Sequence, residues 1–339
     1  NKPELNLREK ISELDKPSGV AGEAMLRAET PQEQFNLIGA GRRNLIINGE
    51  NKISQRGNFT SATAVTASTY YIDRWKTYES GVTVTLTHKQ NQSLPDGSVS
   101  HTQRYDVTVA GTGYAGVQQI LEETLTAGRH YTISAWVKSN DPNMNLFANG
   151  GTERSFHSGS GEWEKLSITW VISASEANSY GLINHTSSSN PMIVGHFVEF
   201  TQVQLELGKV ATPFEHRSYG EELALCQRYY YKINSAQNNA NYQRFAMVSC
   251  EDSTNAEALF IHPVTMRVAP SLETTAYNGF HIFSANATRQ LSSALFIDQS
   301  SPYSTGVGLV VASGLTSGYV GLLDADNNKT ATIAFSAEL

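Results

Sequence analysis

Residues 44–217 alternate between apolar and polar side chains, and this pattern limits the fold of the chain more than any other feature. The alternation is regular in Val82–Thr87, Tyr131–Lys138, Leu166–Ile172 and His196–Leu207. Because successive side chains of a β-strand point to opposite faces, a period of two predicts strands with one buried face. Turn sequences such as Pro95-Asp96-Gly97 separate the stretches, without helical patterns between them. The region is therefore predicted to be an antiparallel β-sandwich.

The segments on either side have different patterns. In residues 1–43, helical spacing of Leu7, Ile11 and Leu14 indicates a short amphipathic helix. This segment is interpreted either as an arm folded on its own body or as an attachment segment that docks on a partner or on sister subunits. Ser218 and Glu221 fit a capping box, which predicts a helix over 221–231 inside a helical joint at 218–235. Six strand-like stretches follow, so residues 236–339 are predicted to form a second, smaller β domain.

Composition narrows the classes of function. The 339 residues correspond to about two domains at ~150 residues each. Charged residues make up 17% of the chain, the net charge is −7 and the longest basic cluster is Arg42-Arg43, so nucleic-acid binding is not expected. No apolar run approaches the ~20 residues that span a bilayer, so membrane insertion is not expected either. Cys226 and Cys250 are too few for a disulfide framework and are predicted to be reduced and structural.

Motifs that would carry catalysis are weak. Gly111-Thr-Gly113-Tyr-Ala-Gly116 fits a dinucleotide-loop pattern, but βαβ alternation is missing, so these glycines are expected in turns or bulges. Asp324–Asn328 begins like a calcium loop without its glycine and glutamate, and a turn is expected there. Glu162 and Glu164 flank Trp163 and are interpreted as a solvated face in preference to a glycosidase pair. No catalytic residue, metal or cofactor is predicted.

Aromatic side chains remain as candidates for binding. Aromatic rings stack on the apolar faces of sugars, and their N–H or O–H edges bond hydroxyls. Trp136 shares the polar face of its strand with Lys138, so a ligand could stack there; the alternative is that Trp136 covers a second sheet or a subunit contact. The candidate ligand-binding residues are Trp136, Lys138, Tyr105, Arg104 and Trp75.

Ordered blocks of sequence resemble a known family. The opening blocks are Arg43–Gly49 (RNLIING), Gln55-Arg56 and Tyr71–Trp75 (YIDRW). The closing blocks are Val203–Gly208 (VQLELG), Ala211–Glu215 (ATPFE), Arg217 and Tyr219–Tyr230, and Pro263–Arg267, Ala269-Pro270 and Ser336–Leu339 lie nearer the C-terminus. Over residues 43–339 the chain is similar to a domain of bacteriophage tail-fibre and other virion appendage proteins.

This resemblance implies a carbohydrate-binding-module-like jelly roll in a homotrimeric fibre of the virion, made in the host bacterial cytoplasm. Its partners would be sister subunits, other virion proteins held through the N-terminal arm, and a host-surface glycan. The motifs look like fold determinants, with Asp73-Arg74 expected to be an ion pair at a sandwich edge and with Glu206 and Glu215 placed where the last strand leads to the helix. A non-enzymatic adsorption protein is therefore expected; the alternatives are a purely structural virion protein and a polysaccharide depolymerase.

Overall fold

The computed structural model describes residues 43–148, 152–173, 178–185, 191–234, 243–326 and 331–339. The expected helical arm with Leu7, Ile11 and Leu14 lies outside these ranges. The strands of the first domain are β1 (Thr63–Ala64), β2 (Lys76–Ser80), β3 (Thr83–Ser93), β4 (Val99–Val109), β5 (Tyr114–Ile120), β6 (His130–Ser139), β7 (Met144–Ala148), β8 (Glu153–Phe156), β9 (Trp163–Val171), β10 (Ser179–His185) and β11 (Phe197–Leu207).

These strands form two sheets around one apolar core, as the alternation predicts. The six-stranded sheet has the order β1-β3-β4-β11-β6-β9, and the five-stranded sheet has the order β2-β5-β10-β7-β8. Their strand pairs are antiparallel. Ile133 and Phe200 from the first sheet and Leu182 from the second belong to the same buried cluster. The expected antiparallel β-sandwich is confirmed.

Helix α1 (Tyr219–Gln227) follows the sandwich. The Ser218 hydroxyl accepts a hydrogen bond from the Glu221 backbone N–H at 3.3 Å, which confirms the predicted N-cap. The helix ends before Tyr231 because residues 230–234 form strand β12 (Tyr230–Asn234), which pairs with the last strand of the chain. The helix predicted over 221–231 is therefore shorter at its C-terminal end, and β12 belongs to a sheet of the C-terminal part of the chain.

The C-terminal domain is a second all-β unit, also as expected. Its further strands are β13 (Arg244–Cys250), β14 (Asn255–Ile261), β15 (Ser271–Thr274), β16 (Phe280–Ser284), β17 (Ala287–Gln290), β18 (Phe296–Ser300), β19 (Ser304–Val310), β20 (Val320–Ala325) and β21 (Thr332–Ser336). A seven-stranded sheet, β17-β16-β20-β13-β14-β19-β18, is covered on one side by a three-stranded sheet, β12-β21-β15. Phe260 and Phe335 pack between them with ring centroids 5.3 Å apart.

The family-like motifs lie where the two domains and α1 meet. Asp73 and Arg74 do not pair with each other, contrary to expectation: Asp73 Oδ1 accepts from Arg56 at 3.0 Å, and Arg74 binds Glu338. The Trp75 indole N–H donates to the Asn48 carbonyl at 3.0 Å, inside the sandwich. Arg74 and Arg56 both bind Glu338 of the C-terminal domain, so these two arginines stabilise the junction between domains.

Glu206 and Glu215 lie where the last strand of the sandwich leads to the helix, as expected. Glu206 lies near the end of β11 and accepts from the Thr212 N–H at 2.9 Å and hydroxyl at 2.6 Å. Glu215 lies between β11 and α1 and accepts from the Asn44 N–H at 2.5 Å. The hydrogen bond between Asn44 and Glu215 therefore links the opening sequence motif to the closing one.

The first two glycines of the dinucleotide-loop pattern lie between two strands, as expected. Gly111 and Gly113 lie in the turn from β4 to β5, and a strand follows in place of the helix that a dinucleotide loop needs. Gly113 has φ +137°, and a Cβ there would meet the Ser80 carbonyl oxygen at 2.1 Å.

Cys226 and Cys250 are free and buried. Within the ranges given above, α1 is too short and too polar to cross a membrane, and the structure has no other helix that could.

Candidate functional site

The six-stranded sheet turns one face away from the core, and two rows of side chains cross this outer face. The first row follows cross-strand partners from β3 to β9: Thr87, Arg104, Glu199, Lys138 and Trp163. The second row includes Lys89 opposite Thr102 and Trp136 between Thr201 and Lys165. We use the name tryptophan face for Lys89, Arg104, Trp136, Lys138 and Trp163, all of which are partly exposed.

Strand alternation explains why these side chains share a surface. In β6, Ile133, Ala135 and Val137 are buried in the core, so Trp136 and Lys138 point outward, as predicted. In β9, Leu166, Ile168 and Trp170 are buried, and alternation puts Trp163 on the outer side. Because cross-strand neighbours lie about 5 Å apart, the two tryptophans and the cations form one continuous surface.

A buried carboxylate lies beneath the cations. The Glu199 side chain is 4% exposed and accepts from the Thr102 hydroxyl at 2.7 Å and from Lys89 Nζ at 2.7 Å. Arg104 Nη1 is 3.6 Å from the same carboxylate. A buried carboxylate needs such partners, because an unpaired charge in this position would be costly. Glu199 therefore fixes the positions of Lys89 and Arg104 on the face.

Arg104 is held in a rigid orientation. Its guanidinium donates to both carboxylate oxygens of Asp106 at 2.7–3.0 Å and stacks on the Phe197 ring at 3.8 Å from the centroid. A planar guanidinium fixed in this way presents its remaining N–H groups in one direction. It is thus preorganised for binding at little entropic cost.

Trp136 and Lys138 keep more freedom. The Trp136 indole N–H is 3.3 Å from Asp96 Oδ2, in the hairpin loop between β3 and β4. Hydrogen bonds from Ser98 lower the pKa of Asp96, so this carboxylate is ionised at neutral pH. Lys138 Nζ is 3.8 Å from Glu162, whose side chain is 80% exposed, a weak surface pair that a ligand can replace.

Two of the predicted ligand-binding residues do not belong to this surface. Trp75 is fully buried in the core and packs edge-on against Phe200 at 5.4 Å. Tyr105 is also buried, its hydroxyl donates to Gln103 at 2.9 Å, and burial raises its pKa. Because Trp75 is 0% and Tyr105 6% exposed, neither side chain contributes to the tryptophan face. Trp136, Lys138 and Arg104 are brought together.

Sequence reasoning missed Trp163, Lys89 and Glu199. Alternation alone could have found Trp163, since three apolar residues of its strand have the opposite parity. Lys89 and Glu199 needed the register between strands, which the sequence does not provide.

The two carboxylates considered for glycoside cleavage have other surroundings. Glu164 accepts from the Ser158 backbone N–H at 3.1 Å and from the Ser160 hydroxyl at 2.9 Å, while Glu162 extends into solvent near Lys138. The described parts of the chain hold no cluster of three or more His, Cys, Asp or Glu suited to a metal ion. The tryptophan face is thus a surface for hydrogen bonding, stacking and ion pairing.

The chain matches no protein-family profile, and no curated protein is similar to it. Among solved structures, the enzymatically active domain of bacteriophage CBA120 tailspike protein 4 is 18% identical, with a TM-score of 0.32, over 49% of this chain and 21% of that one. The CBM22-1 xylan-binding domain of Paenibacillus barcinonensis Xyn10C is 13% identical, with a TM-score of 0.29, over 50% and 96%. The CBM22-1–GH10 modules of Clostridium thermocellum Xyn10B are 16% identical, with a TM-score of 0.28, over 43% and 29%.

These likenesses are partial. This chain spans 21% of the tailspike domain and 29% of the xylanase modules. Likeness of this degree does not assign a ligand to this chain.

Proposed function

We propose that this chain is a non-enzymatic component of a phage virion appendage, and that its tryptophan face binds glycans of the host surface. The observation that carries the proposal is the presence of Trp136 and Trp163 on one sheet face beside two fixed cations, Lys89 and Arg104, and the freer Lys138. The resemblance of the sequence blocks in 43–339 to virion appendage proteins supplies the biological setting.

The chemistry of the face suits a sugar. Tryptophan rings offer apolar surfaces for the C–H faces of pyranose rings, and their indole N–H groups bond hydroxyls. Lys138 and Arg104 add donors for hydroxyls or for the carboxylates of acidic sugars. The five partly exposed side chains of the face come from four strands of one sheet, so a long glycan chain can lie across several strands.

The direct test is binding of purified protein to an array of host-derived surface polysaccharides. The variant Trp136→Ala/Trp163→Ala removes both rings. We expect it to lose at least about tenfold in affinity, since 1.4 kcal/mol corresponds to a factor of ten. Tyr219→Ala, which truncates an exposed aromatic on α1 away from this face, is the matched control and should bind normally. Binding by the double variant at the wild-type affinity would contradict the proposal.

The homotrimer and the attachment of residues 1–43 to other virion proteins belong to the same proposal. Light scattering of the full chain tests the first, with three times 37.1 kDa as the expected mass. A stable monomer at micromolar concentration would contradict the trimer without affecting glycan binding.

One observation favours a second candidate, a purely structural virion protein. The family-like motif residues Asp73 and Arg74 make buried contacts between elements, as a structural role requires. Absence of binding to every host-derived glycan on the array would favour this candidate. Appearance of new reducing ends after incubation with host polysaccharide would instead favour a depolymerase.

A further inference from the structure

The fixed cations of the tryptophan face already have carboxylate partners. Lys89 Nζ lies 2.7 Å from Glu199 Oε2, and Arg104 Nη1 lies 3.6 Å from the same oxygen. The Arg104 guanidinium also donates to both carboxylate oxygens of Asp106. Two cations and two carboxylates therefore balance each other on this half of the face.

The other half of the face, around Trp136, is balanced in the same way. Lys138 Nζ lies 3.8 Å from Glu162 Oε2. Lys165 is the cross-strand partner of Trp136, and its positive charge acts on Asp96, which accepts from the Trp136 indole N–H at 3.3 Å. The four cations on and beside the tryptophan face are thus matched by four carboxylates.

A negatively charged sugar would have to compete with these carboxylates. Glu199 cannot be displaced easily, because its side chain is only 4% exposed and also accepts from the Thr102 hydroxyl at 2.7 Å. A ligand carboxylate beside Lys89 or Arg104 would therefore lie close to a second negative charge, and this repulsion grows where water is excluded. The net charge of −7 on the whole chain adds no attraction for an anion.

A hydroxyl group suits such paired charges better than a carboxylate does. Because a hydroxyl both donates and accepts, one sugar hydroxyl can accept from Lys138 and donate to Glu162. Another can bind between Asp96 and the Trp136 indole N–H, whose 3.3 Å bond is long for a hydrogen bond. Hydrogen bonds to charged partners are about twice as strong as those between neutral groups. The paired charges therefore favour hydroxyls at several points along a sugar chain.

We infer that the glycan bound by the tryptophan face is uncharged, and that Asp96 accepts a hydrogen bond from one of its hydroxyls beside the Trp136 ring. This inference rests on the proposed function, because it concerns the same surface, and it narrows the class of ligand. The two tryptophan rings stack on the sugar rings, and the paired charges orient the hydroxyls. The ligand class is a neutral polysaccharide without uronic acids.

The first experiment removes charge from the ligand. Host-surface polysaccharides that contain uronic acids are offered to the full chain before and after their carboxylates are reduced with carbodiimide and borohydride, beside neutral polysaccharides of the same surface. We expect neutral polymers to bind, no acidic polymer to bind more tightly than its reduced form, and affinity to change little between about 50 and about 500 mM salt.

The outcomes of this experiment separate the inference from the proposed function. Tight binding to an acidic polysaccharide that is lost on reduction of its carboxylates would overturn the inference and leave glycan binding standing. An absence of binding to every polysaccharide, acidic, reduced or neutral, would overturn both.

The second experiment removes charge from the protein. Asp96→Asn keeps one side-chain oxygen for the Ser98 backbone N–H, now bonded at 3.0 Å, so the loop should hold its shape, but the charged acceptor is lost. The polysaccharide that binds the wild type most tightly should then bind about fivefold more weakly. An acidic sugar would instead bind more tightly, because a repelling charge is removed.

The matched control is Asp298→Asn, which makes the same change of net charge at an exposed position on β18 of the C-terminal domain. It should bind as the wild type does, and circular dichroism of both variants verifies folding. Unchanged or tighter binding by Asp96→Asn would overturn the inference.

Discussion

Arg74 of the first sandwich and Glu338 near the C-terminal end of the chain form a buried ion pair across the domain junction. Arg74 Nη1 is 2.5 Å from Glu338 Oε2, and the Arg74 side chain is only 2% exposed. The guanidinium stacks on Tyr229 at 3.6 Å from the ring centroid, and Arg56 reaches the other oxygen of Glu338 at 3.2 Å. Two arginines of one domain thus hold a carboxylate of the other.

Glu338→Gln should therefore destabilise the protein by about 3 kcal/mol, because it leaves Arg74 buried with an incomplete partner. Urea unfolding measures the change. The control is Glu122→Gln at the same junction: Glu122 accepts from Arg228, but both side chains are about one third exposed, so the expected loss is below ~1 kcal/mol. Equal losses for the two variants would contradict the special role of the buried pair.

Asp73 should give the stability a specific pH dependence. Burial raises its pKa to about 6, although Arg56 and Gln55 act in the opposite direction. The folded pKa thus exceeds the ordinary value of 3.8, so the folded state holds the proton more tightly between these two values. The contribution of Asp73 is fully present below about pH 4 and is lost as the pH rises through about 6.

The comparison of wild type with Asp73→Asn isolates this effect, since the variant cannot ionise at that position. As the pH rises from about 4 to about 7, the unfolding free energy of the wild type should fall by about 3 kcal/mol relative to the variant. Urea unfolding at several pH values measures both curves. Parallel curves would mean that Arg56 keeps the carboxylate ionised throughout.

Local periodicity accounts for what could be predicted from the sequence. Alternation in β6 assigned Trp136 to the outer face, and the same rule applied to Val107 would have assigned Tyr105 to the core. Trp75 precedes β2, where no alternation applies, and its burial depends on Asn48 and Phe200. Arg74 could not have been matched to Glu338, 264 residues away, because strand pairing and domain packing alone bring them together.

Gly49 of the opening motif lies very close to β11, and replacing it tests how tight this contact is. A Cβ at Gly49 would lie 2.2 Å from the Val203 carbonyl oxygen, which is fixed in the sheet. Gly49→Ala should cost about 3 kcal/mol, since backbone atoms must move to relieve the overlap. Gly220→Ala in α1 has open space around it and should be neutral or stabilise by up to about 1 kcal/mol. Thermal unfolding of both variants measures the change in stability. A Gly49→Ala variant as stable as the wild type would contradict a tight contact between Gly49 and the Val203 carbonyl.

Cys226 can report opening of the junction separately from the C-terminal domain. It lies on α1, and burial, together with the nearby charges of Asp73 and Glu222, raises the pKa of its thiol well above the ordinary range. Cys250 is buried in the other domain. Both thiols should resist a thiol reagent in the folded protein, because only the thiolate reacts and neither is accessible.

Glu338→Gln should make Cys226 easier to label than Cys250. If it weakens the junction by about 3 kcal/mol, local opening exposes Cys226 more often, and its labelling should accelerate by about 100-fold while Cys250 stays protected. Mass spectrometry of the labelled peptides separates the two sites, and Glu122→Gln serves again as the control. Equal acceleration at both cysteines would show that the domains unfold together, so that the Arg74–Glu338 pair stabilises the whole molecule and not the junction alone.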